Sequence, residues 1–425
     1  MTSLRAIGDR LTERCRPGDD AEMIKPKLKH LRHPLRTVGA AGRILSMYGE
    51  IRRLGDQGYR RYRLDPRYDL ANVSEGFASR PAASPHDAEI LERICAAYIR
   101  ASERERSASD VYQPSDWWQQ IRVAALGPVR RALAARDLSS LSRMYGNFFR
   151  DPCSTGLIGV PFGMKNAYFR QKIRDVYRRY SLAEALSAID CWQARAPGRF
   201  QLHELAVPEI GNPFGVMIDG TLVCAGAAFQ HDSAHRIIDC MGSGPATVAE
   251  IGGGFGAMAY YLLRDRAATT YIGFDLPESL ALTAYYLMKS LPQLRFLLFG
   301  EAELSRHTLS SFDVVLMPIW EMESLASESV EMAFSSHAMS DISPKAMAAY
   351  LEIIARIVRG RFLYIGNARG AESICTLSTC KRQLFRLEEK HESSWSARSF
   401  KGGDAVECMF APLPLRCRVA KVTMA

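Results

Sequence analysis

The sequence predicts an α/β fold for the C-terminal half of the chain, with a mostly parallel sheet whose last strand is antiparallel, preceded by a mostly helical N-terminal domain. Three observations lead to this prediction. From about residue 245, short apolar segments alternate with helical ones, which is the pattern of a parallel sheet with crossover helices. A glycine cluster follows the first of these strands. Near the end of the chain, two strand-like segments flank Gly402-Gly403 and predict an antiparallel hairpin.

Length and composition define the class of protein. A chain of 425 residues is too long for one ordinary core. We therefore predict a basic lead-in over residues 1–80, a helical domain over 81–200 and a sheet-bearing domain over 201–425. The composition is 47% hydrophobic and 24% charged, as in a globular protein, and no apolar run reaches the roughly 18 residues of a membrane helix.

Two features of the sequence bear on the cellular compartment: the N-terminus and the cysteines. The first residues lack the apolar core of a secretory signal. Ten cysteines are scattered without a C-x-x-C pair, which favours reduced thiols over a disulfide framework or a zinc site. We predict a cytoplasmic protein, and leave open whether it forms a homo-oligomer.

The positive charge is concentrated near the N-terminus. Residues 1–63 carry 15 Lys and Arg against 7 Asp and Glu, so the rest of the chain is nearly neutral. The densest basic stretches are residues 25–30 and 59–63. The alternatives are a solvated arm, a contact with an acidic membrane or nucleic acid, and attraction of a phosphorylated substrate. Because Pro26 and Pro34 interrupt any long basic helix and no nucleic-acid motif is present, we favour the solvated arm and no specific nucleic-acid partner.

The helical domain follows from apolar residues at helical spacing. Ile90, Ile94 and Tyr98 mark one helix, and a second stripe over 121–133 is broken near Gly127-Pro128. Further helices are predicted over 137–149, 165–180 and 181–195.

The sheet-bearing domain follows from short apolar runs. Strands are predicted over 247–251, 270–275, 294–299, 312–317, 330–335 and 362–365, with the hairpin over 385–394 and 405–413. Helices are predicted from Ala257 and from Pro277, and a third has Ser343 as N-cap, Pro344 at its first position and Gly360 as its stop.

The segment Glu250-Ile251-Gly252-Gly253-Gly254-Phe255-Gly256 carries the sharpest functional signal. It lies where a strand ends and a helix begins, and glycines there let a ligand lie against bare backbone. Asp275 ends the next strand about 20 residues later, the spacing at which an acid accepts hydrogen bonds from ribose hydroxyls.

The same glycines also satisfy G-x-G-x-x-A with Ala257, so a nicotinamide dinucleotide is an alternative ligand. A carboxylate at Glu250 would repel a pyrophosphate, but it suits the cationic methionine end of S-adenosylmethionine. The terminal hairpin also departs from an ordinary dinucleotide fold. We therefore favour a methyl-donor site over a dinucleotide site or a structural turn.

Glu250 to Gly256 and Asp275 resemble the first two motifs of class I, S-adenosylmethionine-dependent methyltransferases, whose sheet is Rossmann-like. With Gly211-Asn212-Pro213-Phe214-Gly215, they resemble more specifically the sugar O-methyltransferases of bacterial gene clusters, over about residues 200–370. The resemblance implies S-adenosylmethionine as cofactor and a small-molecule acceptor, a sugar or glycoside hydroxyl. The residues predicted to bind the donor are Glu250, Gly252, Gly253, Gly254, Gly256, Asp275, Leu276, Trp320, Glu321 and Ser335.

The acceptor chemistry is predicted beyond the strand over 330–335, because active sites of open parallel sheets lie past the carboxyl ends of the strands. His337 is the candidate base, since an imidazole has an ordinary pKa of about 6.5. Asp341 would orient His337 or bind the acceptor. A loop histidine that only caps or packs is the alternative. In the sugar enzymes this segment more often has an Asn, a Ser and a Glu-Met pair, where this chain has Ser335, Ala338 and Asp341-Ile342.

Three further groups leave alternatives open. Trp320 and Glu321 are candidates for contacts to adenosine, with Glu301 as the alternative, because the sequence does not decide which strand is third in the sheet. Trp117 and Trp118 would serve a helical core or, less expectedly, stack on a sugar. His231 and His235 are four residues apart and could bind a metal with Asp232. No ligand beyond these three is evident, so we predict donor-edge or acceptor contacts and no metal.

Four functions remain in order of preference. The first is an O-methyltransferase acting on a sugar or glycoside. The second is a methyltransferase of a non-sugar natural product, the third an NAD(P)-dependent oxidoreductase, and the fourth a non-catalytic module that keeps the donor fold. Donor binding separates the third from the others, and turnover separates the fourth from the first two.

Overall fold

The computed structural model describes residues 34–81, 87–158, 175–381, 383–397 and 404–414. By contact density the chain divides into Met1–Arg53 and Leu54–Ala425. The described part of the first unit is the beginning of one helix, and the basic stretch 25–30 lies outside the described residues. No described helix is long and apolar enough to cross a membrane.

Fourteen α-helices lie among the described residues. They are α1 Pro34–Tyr62, α2 Leu70–Ser74, α3 Asp87–Glu105, α4 Asp116–Ala124, α5 Gly127–Ala135, α6 Leu138–Tyr145, α7 Val176–Arg195, α8 Ala227–Asp239, α9 Ala257–Asp265, α10 Pro277–Ser290, α11 Arg306–Ser311, α12 Pro344–Ile357, α13 Ala368–Cys375 and α14 Ser394–Ala397. Helix α5 has Pro128 in its first turn, so the break predicted at Gly127-Pro128 marks a helix start. Residues 165–174 of a predicted helix lie outside the described residues.

Ten strands lie among the described residues. They are β1 Gly215–Ile218, β2 Thr221–Cys224, β3 Ala246–Ile251, β4 Thr269–Asp275, β5 Phe296–Leu298, β6 Val314–Pro318, β7 Val330–Ser336, β8 Val358–Asn367, β9 Phe385–Glu392 and β10 Ala405–Pro412. The first two form a hairpin of their own. The other eight form one sheet in the order β5-β6-β4-β3-β7-β8-β10-β9.

The pairing within the large sheet confirms the predicted fold class. Strands β5, β6, β4, β3, β7 and β8 are mutually parallel, while β10 runs antiparallel to both β8 and β9. This is a Rossmann-like sheet, mostly parallel with an antiparallel last strand, and the described region before residue 200 is helical. The helix that begins at Pro344 ends at Ile357, so the predicted stop at Gly360 is wrong. Gly360 lies inside β8, where a Cβ would be 2.3 Å from the Glu331 carbonyl oxygen.

Alternating residues of the strands fill two cores, one on each face of the sheet. Val248, Tyr271 and Phe334 pack on the face that also holds the buried residues of α3, α5, α7 and α10. Ala249, Ile272 and Phe274 pack on the other face with α12 and α13. The helical segment before residue 200 therefore shares a core with the sheet.

The G-N-P-F-G segment joins the helical segment to the hairpin of β1 and β2. The side chain of Asn212 accepts from the Arg80 N–H at 2.7 Å and donates to Ser79 Oγ at 2.9 Å and to Asn147 Oδ1 at 2.8 Å. These bonds satisfy a buried amide and give this motif a structural role in the fold.

Two further predictions concern the surface and the thiols. Helix α1 ends at Tyr62, within the basic stretch 59–63, and Arg61 there pairs with Asp190 at 3.1 Å. Among the described cysteines, free thiols include Cys95, Cys224, Cys240, Cys375 and Cys408.

Candidate functional site

A cleft lies at the carboxyl edge of the parallel sheet, where β3, β4 and β7 end. Its empty space is about 860 Å³, which includes the open mouth. Its walls come from the helical segment as well as from the sheet. The lining residues are Tyr112, Gln113, Pro114, Ser115, Trp118, Gly156, Leu157, Ile251, Gly252, Gly254, Phe274, Asp275, Leu276, Ile319, Ser336, His337, Ala338, Met339, Ile342 and Tyr350.

The glycine loop presents bare backbone to this cleft. Gly252 and Gly254 have φ angles of 77° and 61°, which side-chain-bearing residues rarely adopt. A Cβ at Gly252 would lie 2.1 Å from the Ala338 Cβ, and one at Gly254 would lie 3.1 Å from the Leu157 carbonyl oxygen. The loop therefore packs closely against the segment after β7 and under the helical segment. Gly256 begins α9 as its N-cap.

Asp275 lies at the end of β4, beside the glycine loop. Its carboxylate accepts from the N–H of Leu276 at 2.7 Å and from the N–H of Gly254 at 3.3 Å. Burial raises the pKa of Asp275 to about 7, against the opposing effect of these two bonds. A carboxylate in this position can accept hydrogen bonds from sugar hydroxyls of a nucleoside.

Glu250 is buried beneath the loop and does not line the cleft. Its Oε2 accepts from the Tyr271 hydroxyl at 2.6 Å, and a Cβ at Gly253 would lie 2.7 Å from the same oxygen. Burial raises the pKa of Glu250 to about 7, and nearby Asp275 acts in the same direction. When it is ionised, above that pKa, Glu250 can act on a ligand through its charge below the loop.

The cleft favours a neutral or cationic ligand over a pyrophosphate. No Lys or Arg is among the lining residues that the structure describes, and two carboxyl groups lie under or beside the loop. A dianionic pyrophosphate would need cationic or backbone donors to offset those carboxylates.

His337 directly follows β7 and lines the cleft. Its φ of 62° and ψ of −30° are unusual for a residue other than glycine, and its N–H donates to the Ile365 carbonyl oxygen at 2.7 Å. Strained backbone of this kind concentrates at functional sites. Asp341 ends the short 3-10 helix Ala338–Asp341, and its side chain lies outside the described residues.

The strand order decides which strand is third in the sheet. Strand β6 pairs with β4, so the strand predicted over 312–317 is the third and β5 is the edge. Ile319, which follows β6, lines the cleft. Trp320 instead packs edge-on against Phe299 at 6.2 Å in the core, and Glu321 accepts from the Ser324 hydroxyl at 3.1 Å.

Two other predicted contacts are occupied elsewhere. Ser335 is fully buried, and its hydroxyl donates to the Ile251 carbonyl oxygen at 3.0 Å, so it supports the end of β3. The neighbouring Ser336 lines the cleft. Glu301 forms an ion pair with Arg93 at 2.5 Å. These positions favour Ile319 and Ser336 over Trp320, Glu321, Ser335 and Glu301 as donor contacts.

The helical segment supplies a wall of the cleft that the sequence analysis did not assign. The Tyr112 ring stacks on Tyr350 with centroids 5.8 Å apart, and its hydroxyl bonds to Glu323. Trp118 lines the cleft from α4, whereas Trp117 is 52% exposed. Ser115 is the N-cap of α4, and its side chain accepts from the Trp118 N–H. The Ser-Asp pair before the tryptophans is a sequence signal for this helix start.

The two spaced histidines lie in the α8–α9 region and do not line the cleft. His231, His235 and Asp265 bring ligand atoms within 4.8 Å of one another, whereas Asp232 faces Arg195 at 2.9 Å. His231 Nδ1 accepts from the Trp192 indole N–H at 3.1 Å, which places the proton of the neutral ring on Nε2.

That proton position argues against a metal. A metal on His231 Nε2 would move the proton to Nδ1, where it would face the indole N–H, which is also a donor. Burial lowers the pKa of His231 to about 3, so the ring is neutral. The predicted donor-edge or acceptor contact for His231 and His235 is not supported by their position either, because both rings pack against Phe200.

No family model matches the chain, and no curated protein matches it. Solved structures with a similar fold include geranyl diphosphate C-methyltransferase from Streptomyces coelicolor, at 11% identity and a TM-score of 0.31, over 43% of this chain and 79% of that one. Mitomycin 7-O-methyltransferase is similar at 14% identity and a TM-score of 0.30, over 44% of this chain and 56% of that one.

A TehB-like S-adenosylmethionine-dependent methyltransferase from Corynebacterium glutamicum is similar at 16% identity and a TM-score of 0.29, over 42% of this chain and 87% of that one. With such identities and TM-scores, these likenesses assign no activity to this chain. Its function has to be argued from the cleft.

Proposed function

We propose that this protein is an S-adenosylmethionine-dependent O-methyltransferase acting on a small molecule. The observation that supports it is the convergence of Gly252, Gly254, Asp275 and His337 on one cleft at the carboxyl edge of the sheet. The first three suit a nucleoside-bearing donor, and the fourth suits proton removal from an acceptor.

The donor fits the residues around the loop. Bound S-adenosylmethionine would supply an electrophilic methyl group on a sulfonium cation. Glu250 would favour that cation from below the loop, and Asp275 would accept hydrogen bonds from the ribose hydroxyls. The bare backbone at Gly252 and Gly254 would admit the chain that links the ribose to the methionine end.

His337 would act as the base. Methyl transfer needs the acceptor oxygen held in line with the methyl carbon, with a group to take its proton. An imidazole at the cleft wall can accept that proton, and Asp341 would orient it or bind the acceptor. The acceptor would be a sugar or glycoside hydroxyl, as implied by the resemblance of residues 211–215 and 250–256 to the sugar O-methyltransferases. A methyltransferase of a non-sugar natural product is the alternative.

The first test is calorimetric titration of the full chain with S-adenosylhomocysteine, NAD and NADP in parallel. Of the three ligands, we expect only S-adenosylhomocysteine to bind. The Asp275→Asn variant should bind it at least about tenfold more weakly, because a carboxylate–hydroxyl bond is charge-assisted. Asp219→Asn is the control, at an exposed hairpin tip with φ of 49° that asparagine tolerates. Binding of a dinucleotide alone would overturn the proposal.

The second test addresses His337 with asparagine, which tolerates its positive φ but cannot act as a base. Transfer of a labelled methyl group to a panel of sugars and phenols should fall about 100-fold or more in kcat. The affinity for S-adenosylhomocysteine should change less than about threefold. His391→Asn, on the exposed edge of β9, should leave both unchanged. Full activity of His337→Asn would remove His337 as the base.

A further inference from the structure

Two aromatic side chains lie beyond His337. The Phe229 ring, in the first turn of α8, has its centroid 6.4 Å from that of the His337 imidazole. The Trp395 ring, in α14, meets Phe229 edge-on at 5.5 Å and an interplanar angle of 82°. Both side chains are only partly buried. They form a continuous aromatic surface that begins at the cleft wall, which we call the Phe229–Trp395 platform.

Trp395 is fixed in place from two sides. Its indole N–H donates to Asp232 Oδ2 at 3.2 Å, and the Arg195 guanidinium lies 5.8 Å from its ring centroid. Asp232 and Arg195 also pair with each other at 2.9 Å. The platform is therefore held by a charged pair before any ligand arrives, and preorganisation of this kind lowers the cost of binding.

Other groups of the cleft surround the residues predicted to hold the donor. Tyr112, Trp118 and Leu157 from the helical segment line the cleft together with Gly254 and Asp275. Those two residues suit the nucleoside end of a donor, and His337 is the candidate base, so the acceptor would have to lie beside His337. From there the next aromatic surface is Phe229.

We propose that the Phe229–Trp395 platform is the acceptor subsite, and that the acceptor is a ring with an apolar face that carries the hydroxyl to be methylated. This inference rests on the proposed methyltransferase function. A hydroxyl bonded to the imidazole lies within about 3 Å of a ring nitrogen, so the ring that bears it reaches Phe229 within its own width. Aromatic rings present flat apolar faces to such rings. Pyranoses and phenols share this chemistry.

The test uses the full chain saturated with S-adenosylhomocysteine and follows ligand binding by saturation-transfer NMR and titration. The probes are methyl α-D-glucopyranoside, phenol and phenyl β-D-glucopyranoside, with open-chain sorbitol as the ringless probe. We expect at least one ring probe to bind and sorbitol not to bind. Phe229→Leu should weaken ring binding roughly 3- to 10-fold, as loss of one aromatic contact implies, and Phe229→Tyr should restore it.

Phe200→Leu is the matched control. Phe200 is also a partly buried aromatic residue packed on α8, but it contacts His231 and His235, and none of these three lines the cleft. It should leave ring binding unchanged. Ring binding unaffected by Phe229→Leu, equal binding of sorbitol, or no ring probe bound by the wild type would overturn the subsite. If S-adenosylhomocysteine itself fails to bind, the proposed function fails instead. The two pyranoside arms and the phenol arm distinguish a sugar from an aromatic acceptor.

Discussion

Glu250 is the residue at which the requirements of stability and function oppose each other most directly. Its pKa is raised from 4.5 to about 7 because it is buried, so the folded protein holds it protonated where an unfolded chain would ionise it. Such a group favours the folded state fully below pH 4.5. That contribution is lost as the pH rises through about 7, where the folded state must hold a buried charge.

We predict that Glu250→Gln raises the free energy of unfolding at pH 8 and leaves it nearly unchanged at pH 4.5. The shift of pKa corresponds to an upper limit of about 3 kcal/mol, reduced by local relaxation. The same variant should weaken S-adenosylmethionine binding at pH 8, because the negative charge below the loop is gone. Urea unfolding and calorimetry at the two pH values measure this, with the exposed Glu389→Gln as control. A stability difference independent of pH would contradict the raised pKa.

A second prediction concerns Gly252. An alanine there needs a positive φ and places its Cβ 2.1 Å from that of Ala338. Gly198→Ala is the matched control, because Gly198 has a φ of 70° but nothing within 4 Å of its Cβ position. We expect Gly198→Ala to cost about 1 kcal/mol of stability. Gly252→Ala should cost clearly more and should abolish binding of S-adenosylhomocysteine. Equal costs, measured by urea unfolding, would mean that the close approach is not important.

The sequence predicted the backbone of the proposed donor site better than the side chains that line it. Gly252, Gly254 and Asp275 were found because a turn and an acid at a strand end have recognisable sequence signals. Ser335 and Trp320 each lie one residue away from a position that lines the cleft. Side chains alternate between faces at a strand end, so an uncertainty of one residue reverses which side chain points into the site.

At the scale of elements, the buried ions Glu105, Arg122 and Glu278 connect α3, α4 and α10. Arg122 donates to Glu278 at 2.5 and 2.9 Å and to Glu105 at 2.7 and 3.3 Å. Glu278 follows Leu276 of the cleft by two residues, and Trp118 of the cleft lies on the same helix as Arg122. The triad therefore links the helical wall of the cleft to the strand end that carries Asp275.

We predict that Arg122→Met lowers the free energy of unfolding by about 3–5 kcal/mol, because it leaves two buried carboxylates without a partner. Arg136→Met is the control. Its ion pair with Glu92 is about half exposed on both sides, at 52% and 47%, and should be worth less than about 1 kcal/mol. Adding Glu105→Gln and Glu278→Gln to Arg122→Met should recover part of the loss. A loss for Arg122→Met no larger than the control's would contradict the triad's role.

The elements that sequence patterns predicted are those with a strong internal signal. Helix α12 begins as expected, because Ser343 caps it and Pro344 opens it. The sequence pattern did not predict which strands are adjacent in the sheet. The two apolar segments over 294–299 and 312–317 look alike, and only strand pairing decides which of them contacts β4. The hairpin of β1 and β2 was not predicted. Its strands have four residues each, too few for alternation to be recognised.

At the scale of the whole molecule, one cluster of buried residues extends across the domain boundary proposed near residue 200. Leu133 of α5, Leu186 of α7, Tyr285 of α10 and Leu363 of β8 belong to one cluster of buried residues. Lys289 of α10 also pairs with Asp87 of α3 at 2.5 Å. The stability of the helical segment is therefore tied to that of the sheet on which it packs.

We predict that residues 54–425 unfold in a single cooperative transition, in which far-UV circular dichroism and tryptophan fluorescence change together in urea. Leu133→Ala in the helical segment and Leu363→Ala in the sheet are both fully buried and should each lower the free energy of unfolding by about 2–5 kcal/mol. Both should shift the two signals by the same amount, because one core cannot lose a part independently. Independent domains would behave differently: Leu133→Ala would move an early helical transition and leave the later one in place. That result would restore residue 200 as a domain boundary, with the cleft lying between two separately folding units.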